Sequence, residues 1–410
     1  MVNNMGNIPQ LRIKSYSDEW EFKQLGEVGK TFTGLSGKTK EDFGHGEGRF
    51  IPYLNVFSNA IIDPSLTEPI EIDLKQNHVQ VGDVFFTTSS ETPEEVGMSS
   101  VLIENCNNTY LNSFCFGYRP IKSIDSKYLA YMLRSKQVRK KITFLAQGIS
   151  RYNISKNKMM EISIPLPSPK EQQDVGNLFC ELDNIIKLQQ HKMEKLLLTR
   201  KAMLIKMFPQ EGKNVPDIRF AGFEKPWEYI EMKHIVTKYD APVPLPRNGY
   251  HRLGIRSHAK GTFHSYVESG REPETAQMYQ VAADKFIVNI TFGWEHAVAI
   301  TNKTDAGKLV SHRFPQFSFN EGMVPQYFKY LIIDKKFKHH LWLSSPGGAG
   351  RNRVLKIDEM LEYKFWVTSE PEQKKIADFF NNLDNLIALQ EAKIEKLKKT
   401  KQALLNKMFV

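Results

Sequence analysis

Residues 161–208 return, altered but recognisable, as residues 362–409. At a constant offset of 201 the two stretches align without a gap, and 21 of the 48 positions are identical. Both read Ser-x-x-Glu-Gln, then Leu-Asp-Asn-x-Ile-x-Leu-Gln, then Lys-x-Glu-Lys-Leu-x-x-Thr, and both end Lys-Met-Phe. A chain that writes one unit twice folds into two related halves, and its function must use two similar but non-identical copies together.

The repeat reaches further at a different offset. Pro9, Arg12, Trp20 and Glu21 have the spacing of Pro216, Arg219, Trp227 and Glu228, now 207 apart. The middle of copy one is therefore six residues longer than that of copy two. Matching ends with unmatched middles describe a common scaffold carrying different inserts, each long enough to be a domain. The expected division is a mixed domain over 1–160, a helix over 161–210, a second mixed domain over 211–360 and a second helix over 361–410. The segment before Trp20 is expected beside the final Lys-Met-Phe.

The middles alternate short β-branched and aromatic runs with turn residues, the mark of strands. Such runs are Phe50–Val56, Asp83–Thr87 and Ser100–Ile103 in copy one, and Tyr279–Ala282, Lys285–Ile290 and His296–Ile300 in copy two. Each copy then carries a basic helix, expected over Lys127–Lys141 and Pro325–Leu341, followed by a polar loop with Gly-x-x-Arg at Gly148/Arg151 and Gly348/Arg351.

The repeated stretches read as long helices. Ser168 and Glu171 form a capping box with Pro169 at the first helical position, and Ser369 and Glu372 repeat it. Apolar residues then recur at steps of four and three: Val175, Phe179, Leu182, Ile186, Gln189, Met193 and Leu196 in copy one, Ile376, Phe380, Leu383, Ile387, Gln390, Ile394 and Leu397 in copy two. Such a heptad seam predicts that the helices pair with each other. At 1.5 Å per residue, about 40 residues span roughly 60 Å. Gln189 and Gln390 interrupt the seam near its middle. An antiparallel pair sets them face to face, with Leu182, Ile186, Met193, Leu383, Ile387 and Ile394 packing around them. Arg200 and Lys401 are expected near the far ends, open to solvent. The fold class that follows is α+β: two homologous mixed α/β domains joined by two long antiparallel coiled-coil helices, pseudo-two-fold symmetric.

That geometry suits a duplex, whose half-sites lie about one turn, roughly 34 Å, apart. Lysine and arginine exceed the acidic residues by 56 − 46 = 10, a balance suited to a polyanion. Side chains able to reach base edges or phosphates are Ser150, Arg151, Tyr152 and Asn153 in the first polar loop, and Arg351, Asn352 and Arg353 in the second. Ser89 and Ser90 in the turn Thr87–Val96, with Trp294 and His296 in the turn Gly293–His296, are further candidates. Cys106, Cys115 and Cys180 have no metal-ligand spacing and read as reduced thiols of a cytoplasmic protein. No apolar run approaches the roughly 20 residues of a membrane helix.

Catalytic motifs break on inspection. Gly34-Leu-Ser-Gly-Lys-Thr lacks the phosphate-loop glycine at Phe32, and Asp63-Pro-Ser-Leu departs from the methyltransferase signature at two positions. Asp217, Glu231 and Lys233 mimic a nuclease motif, but copy one has Gln10, Gln24 and Gly26 there. His251, His258 and His264 have no metal-site spacing, and the His339-His340 dyad is expected to face solvent or phosphate. No catalytic residue and no metal ligand is assigned. A free-standing DNA-modifying or DNA-cleaving enzyme with an unrecognised active site is the rival reading.

Along essentially its whole length the chain resembles the specificity (S) subunit of type I restriction–modification enzymes. The residues that carry the resemblance are Pro216-Asp-Ile-Arg-Phe-Ala-Gly-Phe-Glu-Lys-Pro-Trp227 with the looser Pro9–Trp20, and Pro165-Leu-Pro-Ser-Pro-Lys-Glu-Gln172 with Ser369-Glu-Pro-Glu-Gln373. Leu182-Asp183 with Leu383-Asp384 and the two Lys-Met-Phe endings complete the set. The resemblance implies two target-recognition domains, each reading one half of a bipartite site in double-stranded DNA, and helices that space them and dock two modification (methyltransferase) subunits. It implies no cofactor on this chain: S-adenosylmethionine belongs to the modification subunits, and ATP and Mg to the restriction (translocase/nuclease) subunits. Copy one departs from the pattern in having Ile13-Lys-Ser-Tyr for the aromatic-Ala-Gly-Phe segment.

Overall fold

The computed structural model describes residues 7–271, 277–347 and 353–410. The chain divides into two compact units, Met1–Lys192 with Gln390–Val410, and Met193–Leu389. Both repeated stretches are single helices of 38 residues, Pro169–Lys206 and Glu370–Lys407. Each helix starts in one unit and ends in the other, so each unit owns the start of one helix and the end of the other.

In unit 1 a four-stranded antiparallel sheet runs Gly29–Thr33, Cys115–Pro120, Val84–Thr87, Ser99–Val101. The run Val84-Phe-Phe-Thr is buried at all four positions, as a central strand covered on both faces requires. Beside it lies a three-stranded sheet, Glu68–Ile70, Phe43–Ile51, Thr109–Leu111, the last pair parallel. Glu21–Gln24 pairs with Ser163–Leu166, tying the start of the divergent middle to its end. The strand expected over Phe50–Val56 stops at Ile51 and Tyr53–Ser58 is helical: Pro52 has no N–H for a ladder and caps the helix.

Unit 2 repeats this frame. Its four-stranded antiparallel sheet runs Val236–Tyr239, Gln316–Phe319, Lys285–Val288, Val298–Ile300, and Glu228–Glu231 pairs with Lys364–Val367. Among the described residues its second sheet has five strands instead of three: Pro242–Val243, Met278–Gln280, Leu309–Ser311, Tyr250–Ile255, Thr262–Val267. The divergence is concentrated in this second sheet and the loops around it.

The single basic helix expected in each middle is two helices. In unit 1 these are Ser126–Met132 and Lys136–Phe144, separated at Ser135, whose Oγ accepts the Val138 N–H at 3.4 Å. In unit 2 they are Pro325–Leu331 and Lys335–Leu343. In unit 1 the Ser135 side chain, by satisfying a first-turn N–H, starts a new helix rather than continuing the old one; Asp334 at the matching place in unit 2 makes no such bond.

The structure accounts for the repeated arginine and tryptophan. Arg12 grips Glu171 bidentately, Nε–Oε1 at 2.7 Å and Nη2–Oε2 at 2.8 Å, and Arg219 grips Glu372 at the same two distances. The capping box of the first helix is therefore half formed, and that of the second is replaced: the Glu372 N–H donates to the Ser369 backbone carbonyl at 3.0 Å and its carboxylate goes to Arg219. The Ser168 Oγ accepts the Glu171 N–H at 3.4 Å, but the Glu171 carboxylate turns to Arg12 instead of back to the helix start. A guanidinium outcompetes a backbone N–H for a buried carboxylate because the bond is charge-assisted and paired. Trp20 packs edge-on to Phe409 at 6.4 Å, and Phe409 stacks on Phe179 at 5.6 Å. In unit 2 Phe208 does the same against Trp227 at 6.1 Å and Phe380 at 6.0 Å. The Lys-Met-Phe ending of each helix thus closes a core begun by the other helix. The segment before Trp20 lies where expected: the Leu11 N–H donates to the Lys407 carbonyl at 2.9 Å.

Within each unit the helices run antiparallel. In unit 1 Asp183 meets Lys401 at 2.5 Å and Gln189 meets Gln390 at 2.9 Å; in unit 2 Arg200 meets Asp384 at 2.6 Å while Phe208 lies on Phe380. Solvent still reaches Arg200 and Lys401, which are half-buried, and each is also the counter-ion of the other helix's Leu-Asp aspartate. Tyr131 and Tyr330 add hydroxyl bonds to Asp183 and Asp384 at 2.9 and 3.0 Å. Burial pushes the Asp384 carboxyl up, but Arg200 and Lys329 outweigh it and hold the group below its ordinary value.

Candidate nucleic-acid interface

In unit 1 the structure assembles the first candidate loop with the first candidate turn. Gln147 and Asn153 exchange backbone hydrogen bonds at 3.0 and 2.8 Å, closing a hairpin whose tip holds Ile149, Ser150 and Arg151. Gly148 has φ 143°, and a Cβ there would lie 2.0 Å from the Arg151 carbonyl oxygen, so the hairpin requires glycine. Tyr152 and Asn153 then pair with Ser90 and Ser89 as a short antiparallel ladder. Ser150, Arg151 and Asn153 are exposed, whereas Ser89 and Ser90 are largely covered. Ser90 donates to Glu95 at 3.0 Å, and the Ser89 carbonyl accepts from the Tyr53 hydroxyl at 2.9 Å. The two serines support the hairpin, while the Arg151 guanidinium makes no hydrogen bond or ion pair among the described residues.

Two arginines that sequence reasoning missed hold this surface in place. Arg139 donates to the carbonyls of Gly97, Glu94 and Val96 at 2.7, 2.8 and 2.6 Å. Arg134 donates to those of Ser99, Val56, Phe57 and Asn59 at 2.6–2.9 Å. Burial pulls both guanidinium groups down to about 10, with the Arg139 charge adding to the effect on Arg134. They remain cationic at neutral pH, solvated by carbonyl dipoles in place of water. No short motif marks such residues, because their partners are backbone atoms of other segments.

In unit 2 the Arg353 guanidinium lies 5.0 Å from the Trp342 ring and 6.0 Å from the Trp294 ring, a cation held between two aromatic faces. Arg351 and Asn352 lie outside the described residues. His296 corrects an expectation. It is 3 % exposed, sits in the left-handed region at φ 65°, and its Nε2 lies 2.6 Å from the Ile332 carbonyl. The ring anchors the turn Gly293–His296 to the helix pair, as Arg139 anchors the corresponding turn of unit 1, and faces no groove. Burial lowers its pKa below the ordinary 6.5. Of the dyad, His339 is exposed and stacks on Trp342, whereas His340 is half-buried and contacts the Glu359 carbonyl at 2.7 Å.

The residues expected to pair the helices are covered to different degrees within their units. Ile186, Leu383, Ile387 and Gln390 are buried, and Leu182, Gln189, Met193 and Ile394 are half-buried. Among the described residues no group of three His, Cys, Asp or Glu could hold a metal ion, and no helix is long and apolar enough to cross a membrane.

A constant frame built twice, presenting two unlike polar surfaces, defines a duplicated recognition protein. The family described as type I restriction modification DNA specificity domain matches residues 17–198 and 254–399, and the chain belongs to that family. It is 22 % identical over 404 residues to the type I restriction enzyme MjaVIII specificity subunit of Methanocaldococcus jannaschii, covering 95 % of this chain and 92 % of that one. Its fold is similar to a type I restriction–modification S subunit from M. genitalium, with TM-score 0.59 and 13 % identity over 98 % of this chain and 99 % of that one. A chain from a structure of complex assembly and conformational transition in the type I R-M system gives TM-score 0.52 at 14 % identity, covering 94 % and 96 %. The chain is a specificity subunit, which selects DNA sequence and is not itself a catalyst.

Proposed function

We propose that the chain selects a split, asymmetric site in double-stranded DNA for a type I restriction–modification complex, each unit reading one half. Ser150, Arg151, Tyr152 and Asn153 read in unit 1; Arg353, with Arg351 and Asn352, reads in unit 2, where Trp294 stacks beneath Arg353. The long helices set the gap between the halves and dock two modification subunits, which carry S-adenosylmethionine and the methylation chemistry. Restriction subunits with ATP and Mg join through that complex, in the cytoplasm. The observation that supports this reading most is the contrast inside each unit. The Arg–Glu clamp and the Trp–Phe core repeat almost atom for atom, while among the described residues Arg151 stands free at a hairpin tip and Arg353 lies against two tryptophans. Genome-wide mapping of methylated bases in a host carrying this chain and its partners tests it. Two short blocks with a fixed gap are expected; a single continuous motif would overturn the reading.

A further inference from the structure

Unit 2 contains a cavity of about 420 Å³ between its two sheets, within the size range of small-molecule sites. Tyr250, Phe263, Phe292 and Phe314 line it, with Arg252 and aliphatic side chains such as Leu253. Two of its polar side chains, Asn289 and Glu295, have unused hydrogen-bonding capacity. Asn289 is 9 % exposed, and its Oδ1 accepts the Thr291 N–H at 3.0 Å. That bond assigns the amide orientation and leaves Nδ2 as a donor with no partner among the described residues. Glu295 accepts from the Ser257 hydroxyl through Oε2 at 2.6 Å, and among the described residues no bond engages its Oε1.

The backbone that places Glu295 is strained. Among the described residues five non-glycine positions have positive φ, and three of them meet here: His258 at 63°, Ala259 at 50° and His296 at 65°. The His258 N–H donates to the Glu295 carbonyl at 2.9 Å, and the Ala259 N–H to the His296 carbonyl at 2.8 Å. Unit 1 does not accept this cost. At the matching place, two residues before the equivalent edge strand, it has Gly97 at φ 63°. Strain of this kind persists where the surroundings over-determine it, and it gathers at binding sites.

We propose that this cavity receives a single unstacked nucleobase, the aromatic side chains stacking on its faces while Asn289 Nδ2 and Glu295 Oε1 bond its polar edge. A free donor and a free acceptor on a cavity lined in part by aromatic rings are the groups that recognise the polar edge and the faces of a base. The inference rests on the DNA-reading function above for one of two sources, a base extruded from the duplex; the other source is a free nucleotide.

Two variants probe the site without dismantling it. Asn289→Asp keeps the oxygen that accepts from Thr291 and replaces the donor. Glu295→Gln keeps an oxygen for Ser257 and removes the charge. In the first arm dAMP, dCMP, dGMP and dTMP are titrated separately into the full chain by saturation-transfer NMR. In the second, 2-aminopurine is scanned through the half-site of unit 2 in duplex DNA. Emission rises where a base leaves the stack. At least one signal is expected, weakened about tenfold or more by each variant, with unchanged melting temperature. A rise in emission assigns the duplex as the source; nucleotide binding without it assigns the free nucleotide. No signal in either arm from a wild-type chain that shifts its own DNA site overturns the proposal, as do signals indifferent to both variants. A wild-type chain that shifts no DNA contradicts the functional reading separately, and the nucleotide arm then decides the cavity alone.

Discussion

Gln390 donates its side-chain amide to both the Oε1 and the backbone carbonyl of Gln189, each at 2.9 Å. These residues occupy the same place in the two repeats, so the helix pair carries its one seam-centre polar contact between equivalent positions. Apolar seams tolerate slippage by a heptad; an amide pair with Gln390 buried and Gln189 half-buried does not, since any other register strands Gln390 without a partner. Gln390→Leu should cost about 1–3 kcal/mol, because it leaves the Gln189 amide facing a hydrocarbon wall. The double leucine variant should recover that loss. Urea unfolding of the three proteins checks both statements, and a silent single substitution would refute the role given to the pair.

Arg219→Ala leaves Glu372 buried and unpaired, with only the Thr368 hydroxyl on its carboxylate. The expected loss is about 3 kcal/mol, at the low end for a broken buried pair. Arg12→Ala should behave alike in unit 1. Lys213→Ala removes an exposed i,i+4 pair to Asp217 and should leave stability unchanged within ordinary scatter. Equal effects from Arg219 and Lys213 would falsify the distinction.

His296 gives unit 2 a pH dependence of known sign. Burial holds its pKa below 6.5, against the Ile332 carbonyl bond and the Asp334 charge, with Lys338 and His258 acting in the same direction as burial. The unfolded chain therefore binds a proton at higher pH than the folded one. The stabilisation is complete above pH 6.5 and is lost as pH falls through the folded-state value. Melting temperature measured from pH 7.5 to 5 should fall less steeply for His296→Asn, which tolerates the left-handed backbone. Parallel slopes would count against it.

Arg151→Ala and Asn153→Ala should separate affinity from specificity. Loss of the Arg151 charge should weaken binding to all sequences and lower the salt slope by about one. Loss of Asn153 should relax the half-site of unit 1 by about 1–3 kcal/mol at one position. Salt titrations and methylation maps read these out. A relaxed half-site on the unit 2 side would reverse the assignment.

Gly148→Ala should distort the hairpin tip, since the new Cβ meets the Arg151 carbonyl at 2.0 Å. The expected result is a changed or abolished unit 1 half-site with cooperative unfolding retained. Normal methylation by this variant would show that the tip does not read.

The amino-acid sequence by itself determined the duplication, the two long helices, their antiparallel pairing and the facing glutamines. Heptad periodicity records a seam directly, because a helix buries residues three and four apart. It also marked Arg12 and Trp20 as repeated without saying why. Their partners decide that: Glu171 lies 159 residues from Arg12 and was more economically read as a helix cap. The inward turn of His296, the break at Ser135 and the carbonyl clamps of Arg134 and Arg139 belong to the tertiary structure alone. Arg134 bonds carbonyls 35 to 78 residues away. A backbone oxygen is the same atom in every residue, so no residue type announces that it waits for a guanidinium.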